Sequence, residues 1–183
     1  MRVLIDACVL YPTVLREIVI GVARTGAFEP LWSPRILEEW ARAVERNLPG
    51  ERAVAEAEIA LLRAGWPEAE IAEAPGIARD LWLPDADDVH VLAAAITARA
   101  DEILTLNVRD FPARTLAPHG IVVRHPDTFL LEIWHADPDG VERIVGAVHA
   151  RAEEILGKTI DLRAMLKRSR LPRLGKALAR GAG

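Results

Sequence analysis

Short apolar segments alternate with amphipathic segments over most of this chain. Residues 2–5, 102–106 and 121–123 are short, apolar and rich in β-branched residues, which is typical of buried strands. The stretches between them carry apolar residues at helical spacing. Strands that alternate with helices indicate right-handed crossovers and a parallel sheet covered on both faces. We therefore predict an α/β fold with three layers, α/β/α, and a short parallel sheet.

Capping residues and prolines mark several helix boundaries. Ser33 followed by Pro34 is a strong helix start, and Pro49-Gly50 ends that helix. Thr13 is a suitable N-cap for a helix that continues to residue 24. Asp137–Gly140 reads as a turn. Further helices are predicted over residues 51–64, 89–100, 126–134 and 141–156.

The composition narrows the class of protein. With 183 residues, 51% of them apolar, the chain is long enough for one domain with an appendage and too apolar for disorder. Its single cysteine, Cys8, excludes an internal disulfide framework and a cysteine-based zinc cluster. The apolar run before Asp6 is only three residues long, and no charge-free run of 18 apolar residues occurs, so we expect no signal peptide and no membrane span. We expect a cytoplasmic protein.

Charge is distributed unevenly. The chain has 23 Lys and Arg residues against 27 Asp and Glu residues, a net charge of −4. The last 22 residues hold seven of the basic residues and no acidic one, so the preceding body is strongly acidic. Such asymmetry indicates contact with a polyanion or an acidic partner.

Acidic side chains are predicted to meet at one edge of the sheet. Asp6 follows the first strand, and Asn107 and Asp110 follow the strand at residues 102–106. Ligands of open parallel sheets bind outside the carboxyl ends of the strands. Three further carboxylates crowd the start of the helix at residues 89–100: Asp85, Asp87 and Asp88. Carboxylates gathered in this way repel one another unless a cation is present, and Mg²⁺ or Mn²⁺ prefers such oxygen ligands. The pattern suits metal-assisted phosphoryl transfer.

Four segments resemble, in order, the motifs of the PIN-domain nucleases. They are VLIDACVLYP, SPRILEEWARAV, LPDADDVHVLAAAI and TLNVRDFP. The resemblance covers residues 1–134. It implies a PIN-like nuclease domain over residues 1–134 and a helical C-terminal extension with a basic tail over residues 135–183.

The resemblance also implies a site. Its catalytic residues and metal ligands would be Asp6, Glu39, Asp88 and Asp110, with Mg²⁺ or Mn²⁺ as cofactor. Three residues would support these ligands: Asn107, Thr105 and Asp85. Asn107 stands where many members carry an aspartate, and Thr105 would hydrogen-bond a ligating carboxylate.

Two ligand assignments have close alternatives. Glu38 and Glu39 are helix neighbours that face about 100° apart, and Glu39 is preferred because it directly precedes Trp40. Among the three aspartates near the helix start, Asp88 is preferred for its spacing to the Ala93–Ala95 run.

The function implied by the resemblance is that of a metal-dependent endoribonuclease which hydrolyses single-stranded RNA. Similarity to VapC-type toxins of type II toxin–antitoxin pairs implies a small antitoxin partner, and homodimers are common in the family. Two other functions stay open: a non-catalytic PIN-fold interaction module, and a metal-dependent DNA nuclease or phosphatase that uses the same carboxylates.

The basic tail has two interpretations. Its leucines suit an amphipathic helical pair packed on the domain, with solvated cations between them. Alternatively, the cations bind RNA phosphates. The RNA-binding candidates are Arg163, Lys167, Arg168, Arg170 and Arg173. His90 and the other histidines are expected to be structural or surface residues, and Cys8 is expected to be a small buried apolar residue.

Overall fold

The computed structural model describes residues 1–73 and 75–181 of the chain. The strands are β1 (Arg2–Ile5), β2 (Glu29–Leu31), β3 (Glu102–Leu104) and β4 (Val122–Arg124). The helices are α1 (Ala7–Leu10), α2 (Thr13–Ala23), α3 (Pro34–Asn47), α4 (Arg52–Gly65), α5 (Pro75–Ala78), α6 (Val89–Thr97), α7 (Ala113–Leu116), α8 (Pro126–Ala136), α9 (Pro138–Leu156), α10 (Leu162–Arg168) and α11 (Pro172–Gly181). In the described residues, no helix is both long and apolar enough to cross a membrane.

The strands form one parallel sheet in the order β2-β1-β3-β4. In the register of the two central strands, Leu4 pairs with Ile103 and Ile5 pairs with Leu104, and all four side chains are fully buried. Non-sequential neighbours in a parallel sheet require helical crossovers. The predicted fold class, a parallel α/β sheet flanked by helices with a helical C-terminal extension, is confirmed.

Strand β2 was not predicted from the sequence. It spans three residues and includes Pro30, which lacks the backbone N–H that a central strand needs. The sheet places it at an edge beside β1, where a proline is tolerated. Only this pairing, across more than twenty residues of sequence, makes the segment a strand.

Backbone contacts divide the chain into two compact units. The first contains residues 1–11 and 28–124 and holds the whole sheet. The second contains residues 12–27 together with the chain from residue 125 onward. The helix α2 therefore belongs with the C-terminal helices, although it lies between β1 and β2 in sequence. The predicted domain boundary after residue 134 stays a prediction.

In the first unit, α3 begins where the sequence predicts. The Ser33 hydroxyl accepts a hydrogen bond from the Ile36 N–H at 3.2 Å, and Pro34 occupies the first turn. One face of the helix buries Ile36, Leu37 and Trp40. This packing fixes the rotation of α3 and so decides which of its polar side chains face outward.

In the second unit, the C-terminal helices pack as an amphipathic pair. Leu166, Leu171 and Leu174 are fully buried. The buried carboxylate of Asp127 accepts hydrogen bonds from the backbone N–H groups of Arg173 and Leu174 at 3.0–3.1 Å, and thereby caps α11. The predicted helical packing of this segment is therefore present.

The start of α9 differs from the prediction. The segment Asp137–Gly140 was expected to be a separate turn, but α9 begins within it, at Pro138. The Asp137 carboxylate accepts a hydrogen bond from the Gly140 N–H at 3.0 Å, so the aspartate acts as an N-cap. A proline after a capping aspartate starts a helix as readily as it marks a turn.

Candidate active site

The candidate site lies in the first unit, at the carboxyl ends of β1 and β3. Asp6 directly follows β1, and Thr105 directly follows β3. The two strands are paired, and the Asp6 N–H donates to the Leu104 carbonyl at 3.0 Å. The ends of the two neighbouring strands therefore bring together residues 99 positions apart.

Asp6 is held by two side chains. The Thr105 hydroxyl donates to Asp6 Oδ2 at 2.6 Å, which is the hydrogen bond expected from the sequence. The Cys8 thiol donates to the same oxygen at 3.0 Å. Thr105 in turn accepts a hydrogen bond from the Asn107 N–H at 3.0 Å. These contacts set the orientation of a carboxylate that is only 5% exposed.

Cys8 does more than fill space. Burial, followed by the charge of Asp6, raises the pKa of the Cys8 thiol far above its usual range. The thiol therefore stays protonated and donates to the carboxylate. Cys8 was predicted to be only a small buried apolar residue. The structure shows that it is also a hydrogen-bond donor, because the neighbouring carboxylate of Asp6 accepts from its S–H.

Glu39 projects from α3 toward two basic side chains. Its Oε1 lies 2.9 Å from His90 Nε2 and 3.2 Å from Arg35 Nε. Burial by itself raises the pKa of Glu39, but the nearby His90 and Arg35 outweigh it, so the pKa is lowered. Glu38 instead pairs with Arg42 and Arg52, at 2.8 and 2.7 Å.

Asp88 lies at the end of a short 3₁₀ turn (Ala86–Asp88) that leads into α6. Its carboxylate makes no capping hydrogen bond to that helix. Burial, and then the negative charges of Asp6, Asp85 and Asp110, raise the pKa of Asp88 to about 7. The expected mutual repulsion between carboxylates from three segments of the chain is therefore present around Asp88.

These side chains border a cleft of about 590 Å³. Four of the predicted site residues line it: Asp6, Glu39, Asp88 and Asn107. The other three do not. Thr105 is fully buried behind Asp6, Asp110 lies in a second 3₁₀ turn (Val108–Asp110), and the exposed Asp85 accepts a hydrogen bond from the Asp87 N–H at 2.9 Å. Asp85 and Asp110 act on the cleft through their charge on Asp88.

The donor set of the cleft fits a hard divalent cation. Its acidic oxygens are the ligands that Mg²⁺ and Mn²⁺ prefer, and after burial the negative charges of Asp6, Asp85 and Asp110 contribute to the raised pKa of Asp88. Within residues 1–73 and 75–181, however, no three His, Cys, Asp or Glu side chains stand close enough together to hold a metal ion. Binding would therefore require acidic side chains of the cleft to move closer together.

The basic tail residues lie in the second unit. Five cationic side chains of α10, α11 and the segment between them are exposed: Arg163, Lys167, Arg168, Arg170 and Arg173. The side chain of Arg180, also counted in the basic tail, lies outside the described part of the structure. Contact of these residues with RNA stays a prediction.

Sequence reasoning missed the basic residues around the cleft. His90 was expected to be structural or a surface residue, yet it faces Glu39 at 2.9 Å. Three arginines of α3 also line the cleft: Arg35, Arg42 and Arg46. They lie four residues before, three residues after and seven residues after Glu39, and this helical spacing is the sequence signal that could have predicted their position on the same face as Glu39.

The fold and this site define an α/β protein with an acidic cleft at the carboxyl edge of a parallel sheet. A family model described as the PIN domain matches residues 2–109, and the chain belongs to that family. A Mycobacterium tuberculosis (strain ATCC 25618 / H37Rv) protein named "Putative ribonuclease VapC50" is 51% identical over 45 residues. That match covers 25% of this chain and 27% of the relative. No solved structure matches the chain significantly.

Proposed function

We propose that this protein is an endoribonuclease dependent on Mg²⁺ or Mn²⁺ that hydrolyses phosphodiesters of single-stranded RNA. The observation that carries the proposal is the cleft shared by Asp6, Glu39 and Asp88, in which the pKa of Asp88 is raised to about 7. Membership of the PIN domain family and the partial similarity to a protein named as a ribonuclease support the choice of substrate.

Each acidic residue has a role in this proposal. Asp6, Glu39 and Asp88, which line the cleft, would hold the cation, and Asp110, whose charge already acts on Asp88, would join them if its side chain turned toward the cleft. When bound, the cation supplies a water of lowered pKa and stabilises negative charge on the phosphate. Thr105 and Cys8 keep the Asp6 carboxylate oriented toward the cleft.

Two supporting residues complete the proposed site. Asn107 lines the cleft next to Asp6 and contributes an amide that hydrogen-bonds water or phosphate without adding charge. Asp85 adds negative charge near Asp88, which favours cation binding.

The experiment is RNA cleavage by the purified full chain in Mn²⁺, in Mg²⁺ and in EDTA. We expect cleavage of single-stranded RNA with either metal, none in EDTA, and at least a hundredfold loss in Asp6→Asn and Asp88→Asn. Asp80→Asn is the matched control because Asp80 is exposed and does not line the cleft. Circular dichroism checks that each variant is folded. Unchanged cleavage by either site variant would overturn the assignment.

The same assay separates the competing functions. DNA of the same sequence tests for a DNA nuclease, and a phosphate monoester tests for a phosphatase. Absence of hydrolysis of all three substrates would favour a non-catalytic interaction module.

The proposed biological role is that of a toxin restrained by a small antitoxin. Expression of the unaltered chain in bacteria should arrest growth, whereas Asp6→Asn should not. If a short open reading frame lies immediately upstream and encodes the antitoxin, its coexpression should restore growth. Homodimer formation, which is common in the family, is tested by light scattering.

A further inference from the structure

One face of α3 lines the cleft with arginines as well as with Glu39. Arg35, Arg42 and Arg46 follow one another at intervals of seven and four residues, and Glu39 falls between the first two. These intervals place all four side chains on one stripe of a helix. The arginines extend beyond the carboxylates, because Arg46 lies about 11 Å along the helix from Glu39. We call Arg35, Arg42 and Arg46 the α3 arginine row.

The three arginines differ in their ion-pair partners. Arg35 pairs with Glu39 at 3.2 Å, and Arg42 uses its Nε to pair with Glu38 at 2.8 Å. Arg46 is exposed and has no ion-pair partner among the residues that the structure describes. Among the described residues, Arg46 therefore has the least compensated charge of the row, and its N–H donors are available.

The cleft also has an aromatic residue. Tyr11, the only tyrosine of the chain, lines it together with the row and with Asn47. Nucleic-acid strands are held without sequence preference by cations that follow the backbone and by aromatic rings on which bases stack. The same two elements occur here beside a group of carboxylates.

We propose that the α3 arginine row and Tyr11 form the subsite for the nucleotides next to the cleaved bond. Arg42 and Arg46 bind backbone phosphates of a single-stranded RNA, and Tyr11 stacks on a base. This subsite lets an acidic cleft retain a polyanion, because the cations lie along the strand on one side of the carboxylates. The inference rests on the proposed ribonuclease function.

The row has a competing explanation, which the experiment must exclude. Arg46 lies in the last turn of α3, where a cation stabilises the helix dipole by a small amount. Arg46→Lys keeps this charge and Arg46→Gln removes it, so thermal unfolding of the two variants measures any structural contribution. A helix-stabilising role would not alter the salt dependence of RNA binding.

The test measures RNA binding under conditions in which RNA is not cleaved. Binding is followed by fluorescence anisotropy of a labelled single-stranded RNA of about 12 nucleotides, in EDTA so that no cleavage occurs. We expect Arg46→Gln to raise the Kd about tenfold and to reduce the slope of log Kd against log salt by about 0.7. Arg46→Lys should recover most of the binding. Tyr11→Leu should raise the Kd about tenfold while leaving the salt slope unchanged.

The matched control is Arg79→Gln, because Arg79 is an exposed arginine of the same unit that does not line the cleft. If Arg46→Gln shows the Kd and the salt slope of Arg79→Gln, the subsite is overturned, and the row would instead suit an acidic protein partner. Absence of RNA binding by the unaltered chain overturns it as well. Absence of cleavage in Mn²⁺ with binding intact contradicts the proposed function, and it overturns the subsite next to a cleaved bond while leaving the row and Tyr11 as an RNA-binding surface.

Discussion

Repulsion between carboxylates in the cleft should lower the stability of the metal-free fold. Asp88 has its pKa raised from 3.8 to about 7 by burial and by three neighbouring carboxylates. Ionised Asp88 therefore destabilises the metal-free fold, and Asp88→Asn, which removes the charge at nearly constant size, should stabilise it. The carboxylate makes no capping hydrogen bond to α6, so the substitution loses little in exchange.

The size and the pH range of this effect follow from the pKa. A shift from 3.8 to about 7 corresponds to at most about 4 kcal/mol, and because Asp88 is only half-buried, screening by solvent reduces this to about 2 kcal/mol. Because the folded state holds the proton more tightly than the unfolded state, the destabilisation is small near pH 4. It grows between pH 4 and 7 and is complete above pH 7. For a chain of this length we expect Asp88→Asn to raise the Tm by about 4–8 °C at pH 8.

The assay is thermal unfolding in EDTA from pH 4 to 8.5, with Asp80→Asn as control. The advantage of Asp88→Asn should grow with pH, whereas the control should differ from the unaltered chain by less than about 1 °C. Adding Mn²⁺ should stabilise the unaltered chain and have much less effect on Asp88→Asn. A Tm for Asp88→Asn that equals or falls below that of the unaltered chain at pH 8 would refute the reasoning.

Three further substitutions test other contacts. Asp127→Ala should cost about 2–3 kcal/mol of stability because two backbone N–H groups of α11 lose a buried acceptor; chemical denaturation measures this, with Asp139→Ala, an exposed carboxylate, as control. Gly21→Ala should destabilise by about 1–2 kcal/mol, since a Cβ there would lie 2.6 Å from Ile144 Cγ2; Gly146→Ala, which meets nothing within 4 Å, should stabilise by about 0.5–1 kcal/mol, and the reverse order would contradict the packing. Thr105→Val should weaken Mn²⁺ binding about tenfold by calorimetry, whereas Thr105→Ser should bind normally.

The sequence by itself determined the features that depend on local pattern. The apolar runs at β1 and β3 predicted parallel strands, and the position of Asp6 directly after the first strand followed from that prediction. The second strand was predicted to run to residue 106, but the structure ends β3 at Leu104 and so places Thr105 directly after it. Ser33 and Pro34 marked the start of α3 because a capping hydroxyl and a fixed φ act within one helical turn. Such signals need no knowledge of the remaining fold.

Only the tertiary structure decided which side chains meet. Cys8 donates to Asp6 and lies within 3.4 Å of Thr105, which is 97 residues away, and His90 reaches Glu39 across 51 residues. The surroundings of Glu38 and Glu39 show the same dependence, although which of them binds a cation stays a prediction. Both stand on α3, but packing of its apolar face turns Glu39 toward the cleft and leaves Glu38 to its arginine partners.

The grouping of α2 with the C-terminal helices illustrates the physical reason. Its apolar spacing predicted a helix, but nothing local indicated that Gly21 would approach Ile144. Helical spacing depends on hydrogen bonds between residues four apart, so a short window of sequence contains it. The partner of a buried face is chosen by shape and charge between segments far apart in sequence, and only the folded chain brings those segments together.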